Sequence, residues 1–177
     1  MHLLTSSTAD VKELTTASGT TFTVSSQDWW RVQRRTWRPK YSESSKSTYI
    51  VGYARINGRK TTIQLGRFIL GITDPDLQCD HITPGDTLSY HREAIRVATR
   101  QEQSRNRRRR SDNRTSKYKG VSRDYGSRKP LWRSQIWVDG TNVTIGRYTT
   151  AVKAAAAYNE RVSLEFGQFA FLNVIAA

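Results

Sequence analysis

Between Leu14 and Ile72 the chain is written as short apolar runs separated by polar turns: TTFTV, then STYIVGYARI, then TTIQLGRFIL. Runs of this length, rich in β-branched and aromatic residues, predict strands. Asn57-Gly58 falls between the second and third runs and favours the positive φ angles of a tight hairpin, so Ile50 to Ile56 and Thr61 to Ile69 are expected to pair. Trp29, Trp30 and Trp37 stand just ahead of this hairpin. Exposed tryptophan is costly, so the three are expected to pack the outer face of the small sheet, with base stacking as the alternative.

Residues 77–99 predict a short strand ending at Asp80-His81, a Pro84-Gly85 turn, and a strand or helix through Ile95 to Ala98. The following RQEQSRNRRRRSDNRTS begins as a short helix and becomes an extended linker, because like charges this dense repel one another. From Ser116 the pattern changes. KYKGVSRD, LWRSQIWVDG and TNVTIGRY are three strand candidates, with turns at Ser127 to Pro130 and at Asp139-Gly140. AVKAAAAYNERVSLEF then predicts a helix, N-capped by Thr149 or Thr150 and stopped by Gly167. Ala154, Ala157, Tyr158, Val162 and Phe166 fall near one face of it. The fold class is therefore α+β, in two small units.

Charge sharpens this picture. The chain of 177 residues carries 29 Lys+Arg against 15 Asp+Glu, a formal net charge of +14. Residues 1–96 hold 13 basic and 9 acidic side chains, 97–133 hold 13 and 3, and 134–177 hold 3 of each. A basic belt in mid-chain suits a surface lying along phosphates, the other reading being a solvated charged face or a disordered segment. Cys79 is the only cysteine, so neither an intramolecular disulfide nor a cysteine-based zinc site can form within one chain, and a reducing compartment fits. No stretch of about 18 apolar residues and no apolar leader occurs, so work in the cytoplasm, of a bacterium or an infected host, with no membrane partner, is expected.

Five ordered blocks in the last part, KYKGV (117–121), WRSQI (132–136), IGRY (145–148), AVKAAAAYN (151–159) and FGQFAFLN (166–173), resemble the Apetala-two, or ethylene-response-factor, DNA-binding domain. That resemblance implies a three-stranded sheet entering the major groove, with Lys119, Arg123, Trp132, Arg133, Trp137 and Arg147 touching bases and phosphates. Strand alternation separately puts Arg133, Gln135 and Trp137 on one face and Trp132, Ser134, Ile136 and Val138 on the other. Trp132 is thus open to two readings, core or contact. The arginine that the plant domain carries after GV is Ser122 here.

LQCDHITPGDTL (77–88) followed by IRVATRQEQSRNRR (95–108) resembles the HNH homing endonucleases of phages and mobile introns, in which an Apetala-two domain downstream is a known arrangement. The resemblance implies a ββα-metal core around one Mg²⁺ or Mn²⁺. His81 would be the general base, assisted by His91, and Asp80 a metal ligand with Gln103 or Asn106. Arg100, Arg105, Arg107, Arg108, Arg109 and Arg110, with Lys117, would clamp phosphates. This sequence departs from the pattern in having Ser89-Tyr90-His91 where a DNR triplet is expected, Gln103 at the helix metal position, and Gly66 for an upstream histidine.

The expected organisation is a nuclease-like domain with an N-terminal β-sheet at 1–110, a basic linker at 111–116, and the Apetala-two type domain at 117–177. The expected partner is double-stranded DNA, bound by an extended monomer with no small-molecule substrate. Two functions stay open: a metal-dependent endonuclease that nicks or cuts duplex DNA, and a catalytically impaired derivative acting as a sequence-specific DNA-binding protein or repressor. An RNA-associated role finds no recognition module beyond general basicity.

Overall fold

The structure, a computed structural model, describes residues 10–56, 58–108, 115–126 and 131–175. The chain divides into two compact units, one ending at Gln101 and the other beginning at Glu102, ahead of the boundary expected near residue 110. The architecture is mixed α+β, with several small sheets and four α-helices among the described residues. No described helix is long and apolar enough to cross a membrane.

In the first unit, β1 (Val11–Thr15) and β2 (Thr21–Ser25) form an antiparallel hairpin, and the two-residue β7 (Ser89–Tyr90) runs parallel to β2. β3 (Trp37–Ser42), β4 (Ser47–Ile56) and β5 (Arg59–Gln64) make an antiparallel meander. β6 (Leu77–His81) pairs antiparallel with β8 (Ile95–Thr99). The hairpin expected around Asn57-Gly58 joins β4 to β5, with Gly58 at φ 76° in the left-handed region; Asn57 itself lies outside the described residues.

That pairing is shorter than the sequence suggested. It ends at Gln64, and LGRFIL, expected to continue the strand to Ile69, is the helix α2 (Leu65–Leu70). Leu65 and Ile69 are spaced i, i+4, so a helix delivers both to one core where a strand would send them along a sheet. Gly71, at φ 67°, stops the helix, and its amide donates to the carbonyls of Arg67 and Phe68. The core gathers Phe22, Val24, Val32, Trp37, Ile50, Leu65, Ile69, Tyr90 and Ile95, with Leu14, Ile63 and Cys79 of β1, β5 and β6 partly buried against it.

The tryptophans also differ from expectation, since none packs the outer face of the sheet. Trp37 is buried on the core side, its indole N–H donating to the Val32 carbonyl at 2.9 Å and its ring 5.6 Å from Phe68. Trp29 and Trp30 lie on α1 (Ser26–Val32) and remain 37% and 54% exposed, because the buried stripe of this helix is Asp28 and Val32. Asp28 is buried and joined to Arg31 and Arg92. Burial alone would raise its carboxyl, but hydrogen bonds from Arg92 and Arg31 outweigh that and hold it below the usual range.

The second unit begins within α3 (Arg100–Arg105), which spans the boundary. β9 (Val121–Asp124), β10 (Leu131–Val138) and β11 (Thr141–Tyr148) form an antiparallel sheet with β10 central, and α4 (Ala151–Phe166) packs on one side. Asp139 and Gly140, at φ 46° and 77°, form the β10–β11 turn as the Asp-Gly dipeptide predicts. The turn expected at Ser127 to Pro130 lies outside the described residues. Thr150 caps α4, accepting from the Lys153 amide at 3.2 Å, and Gly167 ends it. The buried stripe of α4 is Ala154, Ala155, Tyr158 and Val162, with Ala157 and Phe166 only half-buried, so the packed face is centred about one residue away from the expected one.

After α4 the chain returns to the start of the unit through Asn173. Its amide oxygen accepts from the Lys119 amide at 2.7 Å, its amide nitrogen donates to the Lys119 carbonyl at 3.1 Å, and its backbone exchanges two hydrogen bonds with the Asn159 side chain. Gly120 beside it adopts φ 72°, and a Cβ there would lie 2.1 Å from Tyr158 Cε2. Helix, sheet edge and C-terminal segment are thus locked together at KYKG.

Candidate nucleic-acid interface

Because α4 covers one side of the β9–β10–β11 sheet, alternate residues of each strand are left on the opposite face. On β10 these are Arg133, Gln135 and Trp137, the last 65% exposed. Register sets Arg147 opposite Arg133, Thr144 opposite Gln135 and Asn142 opposite Trp137. A bulge between Ser134 and Gln135 lets Ile145 turn inward without losing that alignment. Arg147 Nε donates to Asp124 Oδ2 from the outer strand, which fixes the guanidinium. The Arg147 and Gly126 hydrogen bonds in turn hold the Asp124 carboxyl below its usual range. Arg133 Nε is buried with no hydrogen-bond partner among the described residues. Neither Asp124 nor the Asn142–Thr144 pair was singled out in the sequence, because strict alternation from Arg147 leads to Ile145, Val143 and Thr141, and only the bulge brings Thr144 and Asn142 to this face.

Trp132 takes the core alternative. It packs with Tyr148 against the cluster of Tyr118, Val121, Ala154 and Ala155. Arg123, opposite it in register, stacks its guanidinium 4.8 Å from the Trp132 ring on that same side. Two of the six side chains implied by the family resemblance are therefore on the reverse of the sheet. Lys119 is also turned inward: Nζ donates to the Arg105 and Arg107 carbonyls at 2.6 and 2.7 Å, and burial lowers its amine to about 8.

Along the basic belt, Arg105 stacks 4.4 Å over Phe166 and anchors the end of α3 to α4. Arg107, Arg108 and Lys117 are exposed, as is Arg100 in the first unit, while Arg109 and Arg110 lie outside the described residues.

The nuclease-type residues fall on both units. Asp80, His81 and His91 belong to the first, Gln103 and Asn106 to the second. β6 and β8 set Asp80 directly opposite Arg96, whose Nε and Nη2 both donate to Asp80 Oδ2, at 2.9 and 2.8 Å. Both side chains are nearly buried, 6% and 12% exposed. A Mg²⁺ or Mn²⁺ ion wants a carboxylate open to it and room for several waters. A carboxylate enclosed with a guanidinium does not fit that requirement, and among the described residues no group of three or more His, Cys, Asp and Glu could hold a metal. Gly66 makes the same point sterically. A Cβ there would lie 2.3 Å from Cys79 Sγ, so the thiol, pushed up to about 12 mainly by burial, fills the space an upstream histidine would need.

The His81 ring, next along β6, is 5.0 Å from that of Tyr90 and 6.3 Å from that of Tyr49. Burial lowers its imidazole to about 4, with Asp86 pulling weakly the other way, so it is neutral at physiological pH. His91 is half-buried in the turn after β7, and its carbonyl accepts from the Ala94 amide at 2.8 Å. Asn106 is buried and Gln103 half-buried.

Searches against protein-family models, curated proteins and solved structures found no match for the chain in any of the three.

Proposed function

We propose that this chain is a double-stranded-DNA-binding protein whose second unit reads the duplex with the outer face of β9–β10–β11. The observation that carries the reading is the shared face of Arg133, Gln135, Trp137 and Arg147, turned away from α4. Arginine and glutamine present paired donors or donor and acceptor to base edges, while Trp137 offers an apolar surface to a thymine methyl. Asp124 orients Arg147, and the exposed arginines of the belt add sequence-independent phosphate contacts. In this reading the first unit is a nuclease-derived scaffold, in which Arg96 takes the positive charge beside Asp80 that a metal would otherwise supply.

The test is fluorescence-anisotropy titration of a labelled duplex with wild type and with Arg133→Ala/Trp137→Ala/Arg147→Ala. Each base-reading side chain removed should weaken preferred-site binding by about 5- to 150-fold, 1–3 kcal/mol. Equal affinities for the two proteins would sink the assignment.

A second reading is phosphodiester cleavage with His81 as general base. The resemblance of LQCDHITPGDTL to the HNH motif favours it, while burial, which lowers the imidazole to about 4, weakens His81 as a base. Nicking of supercoiled plasmid in Mg²⁺ or Mn²⁺ that vanishes in His81→Ala would establish it.

A further inference from the structure

The β3–β4–β5 meander carries no acidic residue in any of its three strands, yet holds Arg38, Lys40, Arg55, Arg59 and Lys60. Register puts four of the five on one face. Arg38 stands opposite Val51 and Val51 opposite Gln64, Lys40 opposite Tyr49, Tyr53 opposite Thr62, and Arg55 directly opposite Lys60. Trp37, Ile50 and Ile63 take the other face, toward the core. All four cations are exposed.

Arg55 against Lys60 is a like-charge cross-strand pair, an arrangement that costs stability in an isolated sheet. Tyr53 stands at the centre of the face, 44% exposed, with the Arg38 guanidinium 5.0 Å and the Lys60 ammonium 4.0 Å from its ring centroid. A ring already holding two cations positions them and is not left open for a base to stack on. The surface is thus suited to a regular row of anions: Arg38 to Lys40 span about 6.8 Å along one strand, and neighbouring strands repeat at about 4.8 Å.

We infer that this face is a second DNA-binding surface, which grips the phosphate backbone of the duplex without reading bases. This inference rests on the proposed function and extends it: the chain is bivalent, with a reading sheet in the second unit and a phosphate-binding sheet in the first. Bivalence raises affinity through effective concentration even where each contact is weak.

The experiment measures full-chain binding to a 40-base-pair duplex of random sequence at several salt concentrations. Arg38→Ala/Lys40→Ala/Arg55→Ala/Lys60→Ala should lower the salt slope by about 3.6, at about 0.9 per lost phosphate contact. Between 50 and 200 mM salt the wild type should therefore lose about 150-fold more affinity than this variant. The charge-preserving Arg38→Lys/Lys40→Arg/Arg55→Lys/Lys60→Arg should keep the wild-type slope, which separates lost contacts from lost folding. A slope unchanged in the alanine variant, in a wild type that does bind duplex and weakens with Arg133→Ala/Arg147→Ala, would overturn this inference alone. A wild type that binds no duplex would overturn the proposed function together with it.

Discussion

Replacing Arg96 with Met keeps most of the side-chain volume beside Asp80 but removes the guanidinium that donates twice to Oδ2. The carboxylate is 6% exposed, so solvent cannot take over that role. Breaking one partner of a buried ion pair costs about 3–5 kcal/mol, most of it from the charge left behind. With a urea m-value of about 1–3 kcal/mol/M, the unfolding midpoint of the first unit should fall by at least about 1 M. Trp29, Trp30 and Trp37 belong to this unit and report it by fluorescence. Asp80→Leu/Arg96→Met removes both charges and should recover most of the loss, since apolar replacement of a buried pair is often neutral or stabilising. Were Asp80 instead an open metal ligand, Arg96→Met would cost little and EDTA would destabilise the wild type. Arg96→Met within about 1 kcal/mol of wild type, combined with an EDTA effect, would refute the reasoning.

Two further outcomes follow from the same kind of accounting. His81 titrates near 4 when folded and near 6.5 when unfolded, so the unfolded chain binds the extra proton between those values. Its contribution is therefore fully present above about pH 6.5 and is lost as pH falls toward 4, by about 3 kcal/mol in all. Urea unfolding at pH 7.5, 6 and 5 should show the decline, and His81→Gln should flatten it; an equally steep decline in that variant would contradict the assignment. Gly120→Ala places a Cβ 2.1 Å from Tyr158 and 2.6 Å from the Gln135 carbonyl at φ 72°. Left-handed strain of about 1 kcal/mol and overpacking of about 1–3 kcal/mol or more should unfold much of the second unit, visible as a lost Trp132 and Trp137 signal and lost DNA binding together.

How much of this was legible beforehand depended on whether a signal was local. The second unit was: Asp139-Gly140 forces its turn, Thr150 and Gly167 bound its helix, and the alternation of Arg133, Gln135 and Trp137 survives in the structure. Trp132 was ambiguous because alternation gives two faces without saying which a helix covers. α1 and α2 were missed for a different reason. At seven and six residues they are too short for periodicity to separate a helix from an apolar strand, and tertiary partners decide them, Arg92 for Asp28 and the shared core for Leu65 and Ile69. The Asp80–Arg96 pair needed the β6–β8 register, a contact between residues 16 apart that neither segment reveals alone. The cationic face of β3–β5 was hidden likewise, because Arg38, Lys40, Arg55 and Lys60 are scattered in sequence and converge only once the meander is in register.

The claim that the second unit reads DNA is tested most directly by selecting bound duplexes from a random pool with the full chain, in parallel with Arg133→Ala/Trp137→Ala/Arg147→Ala. The account predicts that wild type enriches a short shared motif, and that the variant, still folded by circular dichroism, retains duplex through phosphate contacts but enriches none. The same motif emerging from both proteins, or no duplex retained by wild type, would contradict it.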